Sequence, residues 1–142
     1  VNTDPNPVGT ATHPDADTWV LRLPWPKPPI TLNTHWRAWQ ARWRAEQTIA
    51  ATSALLAAHA RIPACQRIHV QLVWVPRLNR TRDEDNPIAT LKPLIDGLKK
   101  AGVVPDDNPK HVTWDRPRIE PANPRDPHMD LIVTRLAPKD RP

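Results

Sequence analysis

The segment Arg82-Asp83-Glu84-Asp85-Asn86-Pro87 holds the residues best suited to chemistry. Asp83 and Asp85 stand two positions apart, just beyond an apolar run. In an extended segment that spacing turns both carboxylates to one side and sends Glu84 to the other. Two carboxylates are enough to begin a Mg²⁺ site, which completes its shell with water and phosphate. An EF-hand loop does not fit, because Pro87 falls on its third ligand position and its sixth position lacks glycine.

The residues that follow extend the pattern. Lys92 lies seven positions after Asp85 and Asp96 eleven. In a helix those offsets return to within about 20° of one direction, so Asp85, Lys92 and Asp96 are expected on one side. The helix is expected over 86–100, capped by Asn86, with Pro87 at its first position and Gly102 as a left-handed stop. Pro93 interrupts it and predicts either a kink at Lys92, the favoured form, or one turn followed by a new helix from Pro93. Asp106 and Asp107 follow in a turn between Pro105 and Pro109. Upstream, Arg77, Arg80 and Arg82 make a basic loop immediately before the acids, which suits a polyanionic partner. Asp96 either steadies Lys92 or makes an ordinary i,i+4 helix pair.

The elements that must position these groups are legible as periodicities. Residues 18–23 alternate as a strand with Trp19, Leu21 and Leu23 on one face, and a proline run follows that must be extended. A long helix is expected from Asn33 or Thr34 to about His59, with Trp36, Trp39 and Trp43 forming a stripe that favours a core or subunit-interface role over the stacking of bases. Residues 67–75 read as a central strand, and two further strands are expected at 111–118 and 129–136. The order β-α-β-α-β-β predicts an α/β (α+β) domain: a small mixed sheet of about four strands with two main helices. It occupies residues 18–136, between loose proline-rich tails at 1–17 and 137–142.

Bulk properties fit this outline. Lys and Arg outnumber Asp and Glu by 20 to 15, which suits a polyanionic partner. The single cysteine, Cys65, excludes an internal disulfide framework, reads as a small buried apolar residue and fits a reducing cytoplasm. No apolar run is long enough to span a membrane, and the histidines form no zinc-like cluster.

Taken together, Asp83-Glu84-Asp85-Asn86, Lys92, Asp96-Gly97-Leu98, Lys100-Ala101-Gly102 and Asp106-Asp107 resemble the signature of the RusA family of Holliday junction resolvases, in its phage or prophage form. Leu23-Pro24-Trp25-Pro26 is similar to the family's opening strand and turn. The resemblance implies a Mg²⁺-dependent (or Mn²⁺-dependent) homodimer that binds four-way DNA junctions and nicks two strands symmetrically. It further implies Asp83, Asp85 and Asp107 as metal ligands, Asp106 as an accessory acid and Lys92 as the essential lysine. The gap before Lys92 is about three residues longer than in the bacterial type member, close to one helical turn, which keeps Lys92 on the same face. The competing expectations are a nuclease acting on other branched phage DNA and a branched-DNA-binding module without catalysis. A PD-(D/E)xK nuclease is disfavoured, since no Asp-x-Lys or Glu-x-Lys follows Asp106 at a usable distance.

Overall fold

The computed structural model describes residues 11–138. Its elements are β1 (Ala11–Asp15), β2 (Thr18–Arg22), α1 (Trp39–His59), β3 (Arg67–Val75), α2 (Ile88–Lys100), β4 (Val112–Trp114), β5 (Arg118–Ile119) and β6 (His128–Leu136). The strands form one mixed sheet in the spatial order β1-β2-β6-β3-β4, with β5 pairing to β3 beyond β4. Central β3 is paired along its whole length with antiparallel β6, while β4 and β5 run parallel to it on the other side. A parallel neighbour requires a crossover, and α2 supplies it.

The sheet is mixed and carries two helices, as expected, but it has more strands than the sequence predicts. Part of the N-terminal region expected to be loose is strand β1, which pairs antiparallel with β2 through Ala11–Leu21 and Thr12–Val20. An edge strand tolerates Pro14 because it leaves one row of donors unpaired anyway. Residues 1–10 and 139–142 of the two expected tails lie outside the described residues. The strand expected at 111–118 is divided into β4 and β5 by residues 115–117. Pro117 cannot donate to a ladder, which accounts for the break.

Both helices cover one sheet face. Trp19, Leu21 and Leu23 are buried there as the alternation requires, with Ile68, Val70 and Leu72 of β3 and Met129, Leu131 and Val133 of β6. Helix α1 begins at Trp39, later than expected, and its N-cap Ala38 offers no side-chain hydrogen bond. Its buried stripe is Ile49, Ala50, Ser53 and Ala57 rather than the tryptophans. Trp39 and Trp43 are 72% and 55% exposed, while Trp36 lies before the helix and packs partly against the core. The expected core role therefore fails for Trp39 and Trp43 within one chain.

The small stripe on α1 is matched by Gly97 on α2. A Cβ placed at Gly97 would lie 2.2 Å from the Ala50 carbonyl oxygen and 2.7 Å from the Ser53 Cβ. The helices thus cross backbone against side chain, and Ser53 Oγ donates to the Leu94 carbonyl at 2.7 Å within the contact. Helix α2 runs unbroken through Pro93 and ends before Gly102, whose φ of 79° is the left-handed stop expected. The proline-rich segment 24–32 is held against α2 by Thr90, whose Oγ1 donates to the Ile30 carbonyl at 2.7 Å. Cys65 is buried, and that burial raises its thiol pKa.

Gly97→Ala separates packing from propensity. Alanine favours a helix by about 1 kcal/mol, but the new methyl meets a backbone oxygen that cannot rotate away. Urea denaturation is expected to show a net loss of roughly 1–3 kcal/mol, the usual scale of overpacking.

Candidate functional site

The acidic segment leaves β3 through Pro76 and reaches α2 by way of a turn at residues 84–87. Asp83 and Asp85 are not on an extended strand. Asp83 Oδ1 accepts the Asp85 backbone N–H at 3.0 Å, and the Asp83 carbonyl accepts Asn86 N–H at 3.1 Å. Short side-chain oxygens close turns in this way, and here the closure competes with the extended form. Asn86 does not cap α2. The helix starts at Ile88, with Pro87 in the N-cap position and no side-chain cap.

The turn brings the acids to a residue the sequence reading missed. Arg116, in the break between β4 and β5, places its Nε 2.9 Å from Asp85 Oδ1 and an outer nitrogen 3.4 Å from Glu84 Oε2. Glu84 therefore shares a partner with Asp85 instead of pointing away from it. Gln71 fixes the Arg116 backbone by donating to its carbonyl at 2.7 Å. Pro117 was the available signal: it breaks the strand and releases Arg116 from the ladder.

Lys92 is exposed on α2 and makes no ion pair or side-chain hydrogen bond among the described residues. Asp96 pairs forward with Lys100 at 3.2 Å, so the i,i+4 interaction expected of it is made with a different lysine.

Asp106 and Asp107 lie beyond the opposite end of α2 from Asp83 and Asp85. Asp106 Oδ1 accepts the Asp107 backbone N–H at 2.8 Å and faces Lys99 Nζ at 3.3 Å. Its Oδ2 accepts from Asn108 Nδ2 at 2.9 Å. These donors make Asp106 the organiser of its turn, and Asp107 is left with an exposed side chain. Among the described residues, no group of three or more His, Cys, Asp or Glu side chains is arranged to hold a metal ion.

The basic loop has a definite shape. Arg82 lies over the Trp74 ring, 4.8 Å from its centroid, and donates to the Leu78 carbonyl at 2.8 Å. Asn79 is tied to the Ala122 N–H at 2.9 Å. Arg77 and Arg80 remain exposed. No helix among the described residues is long and apolar enough to cross a membrane. No protein-family model matches the chain, and no curated protein matches it significantly.

The Asp106 turn gives a pH test. Hydrogen bonding from the Asp107 backbone N–H, aided by Lys99, lowers the Asp106 pKa to about 2, and Asp106 raises that of Lys99. A depressed carboxylate adds stability above its unfolded value near 3.8 and loses it as pH falls through about 2. Lys99 contributes below its ordinary 10.5 and loses that contribution as pH rises through its raised value. An NMR titration is expected to place the Asp106 midpoint near 2 and to move it upward in Lys99→Ala.

Proposed function

We propose that this chain is a Mg²⁺-dependent, structure-selective endodeoxyribonuclease that resolves four-way DNA junctions as a homodimer, in keeping with its resemblance to the RusA family. The observation that carries the reading is the turn at 83–85, where the Asp85 carboxylate holds the guanidinium of Arg116 at 2.9 Å and the Glu84 carboxylate meets it at 3.4 Å. A cation is thus accommodated where the sequence pattern calls for one. Mg²⁺ asks for only one or two carboxylates beside water and phosphate, so Asp83 and Asp85 fit it. When bound, such an ion polarises a phosphate and lowers the pKa of a water.

The other roles belong to the chain itself. Asp83 keeps its second oxygen for the ion while its first closes the turn. Arg116 occupies Asp85 in the resting protein and has the scissile phosphate as an alternative partner once DNA enters. Lys92, without a partner among the described residues, offsets charge building on the phosphoryl oxygens. Arg77 and Arg80 hold flanking phosphates.

Helix α2, with 13 residues, is about 20 Å long, too far for acids beyond its two ends to share one ion. The resemblance names Asp107 as a third ligand, and in that role it would have to reach Asp83 and Asp85 from a second chain. A dimer with two such sites also matches the two-fold symmetry of a four-way junction.

On a synthetic four-way junction with Mg²⁺, paired nicks are expected. EDTA should abolish them, and Asp85→Asn should slow them by on the order of a hundredfold or more, the scale of losing one electrostatic stabiliser. Equal cutting in all three arms refutes the metal site, and junction binding without nicks at any protein concentration identifies a non-catalytic binder. Comparison with fork and linear duplex substrates fixes the selectivity.

The shared site has its own test. Asp85→Asn and Asp107→Asn homodimers are each expected to be inactive, whereas a subunit-exchanged mixture recovers single nicks. Each mixed dimer then has one site with both acids intact. No recovery on mixing places Asp107 in the same chain's site or outside it.

A further inference from the structure

We propose that the groove between the proline-rich segment and the β3–α2 loop binds one nucleotide of an unpaired DNA strand, with its base against the apolar floor and its phosphates on the rim. The inference rests on the reading of DNA as substrate, but not on cleavage.

The groove has a volume of about 460 Å³, at the small end of the roughly 300–1,000 Å³ typical of ligand sites. Its lining combines apolar Pro26, Trp74 and Leu78, which would serve as the floor for a base, with basic Lys27, Arg77 and Arg80, which would serve as the rim for phosphates. None of these three cations makes an ion pair or side-chain hydrogen bond among the described residues. Three cations free of such contacts around one concavity suit an anion with more than one charge.

The floor decides which part of DNA that anion comes from. A duplex turns phosphates and sugars outward and keeps base faces inside its stack, so it has nothing apolar to offer here. An unpaired nucleotide offers both a π-face and phosphates. Trp74 is held by its Nε1 donating to the Pro26 carbonyl at 3.1 Å, and Leu78 is 47% exposed. Arg82, fixed between the Trp74 ring and the Leu78 carbonyl, supplies a flat cationic wall on which a base can stack. Trp74 and Arg82 also line the neighbouring cleft that contains Asp83. A strand seated in the groove therefore passes directly to the acids. A junction's crossover, where stacking is interrupted, is the natural source of such a nucleotide.

The test uses the full chain in EDTA, with fluorescence anisotropy of a labelled five-nucleotide oligothymidylate. Binding is expected to weaken about tenfold when the oligonucleotide is replaced by an abasic strand of equal length. It should weaken by at least that factor in a Lys27→Ala/Arg77→Ala/Arg80→Ala variant, which alters only exposed side chains, and several-fold in Leu78→Ala. Equal affinity for the abasic strand, tighter binding of a blunt duplex, equal competition by an oligoglutamate of the same charge, or wild-type binding by the triple variant would each overturn the proposal. Junction cleavage with Mg²⁺ is scored separately. Base-dependent binding without cutting leaves the groove standing and refutes the nuclease; cutting with unaltered oligonucleotide binding in the variants does the reverse.

Discussion

Helix α2 can occupy its place only because residue 97 has no side chain. The Ala50 carbonyl and Ser53 fill the space that any Cβ would need, and the Ser53 hydroxyl uses the closeness to bond the Leu94 carbonyl. Everything assigned a chemical role depends on this crossing. It sets α2 over β3, and so fixes the turn at 83–85 at one end and the turn at 106–107 at the other. Thr90 extends the same contact to the proline-rich segment, which forms one wall of the basic groove. A site made of loops is positioned here by a rigid element packed at backbone distance.

Charge in the candidate site is arranged as exchangeable pairs. Asp85 has Arg116, and Asp106 has Lys99, while Lys92, Arg77 and Arg80 are held in reserve. Exposed pairs of this type are worth little to folding, so a polyanion and a divalent cation can displace them at small cost. The contrast is Arg22, 4% exposed, whose Nε meets Asp130 at 2.9 Å across β2 and β6. That pair lies within the sheet, where removal of one partner leaves a buried charge. The protein thus keeps its structural ion pair apart from those available for exchange.

Most of the scaffold was readable because burial imposes a period. Strand β3 was legible to the residue, as was the Gly102 stop, since nothing but a central strand and a left-handed cap suits those residues. Other features were hidden where bulk and closeness disagree. Trp36, Trp39 and Trp43 have helical spacing, yet a close crossing selects small residues, and the stripe that packs is Ile49, Ala50, Ser53 and Ala57. Pro14 concealed β1, and at 111–118 the alternation of Val112 and Trp114 outweighed the signal of Pro117. In the candidate site, residue types and their order along the chain could be read. The Asp83 turn and the Arg116 partner could not, because the first is a turn that overrides the extended form and the second a contact between segments distant in sequence. The separation of Asp107 was already implicit in the helix expected over 86–100.

The interruption of the outer edge between β4 and β5 has a consequence for the protein as a solute. A long, regular edge is a template on which another chain can add a strand, and proteins guard against it with short strands, prolines and charge. Here the edge consists of three residues and then two, separated by Asp115, Arg116 and Pro117. At the opposite edge, β1 carries Pro14 and a register irregularity between Thr12 and Asp15. Among the described residues neither border offers a continuous row of donors and acceptors, which disfavours the addition of another chain's strand at either side.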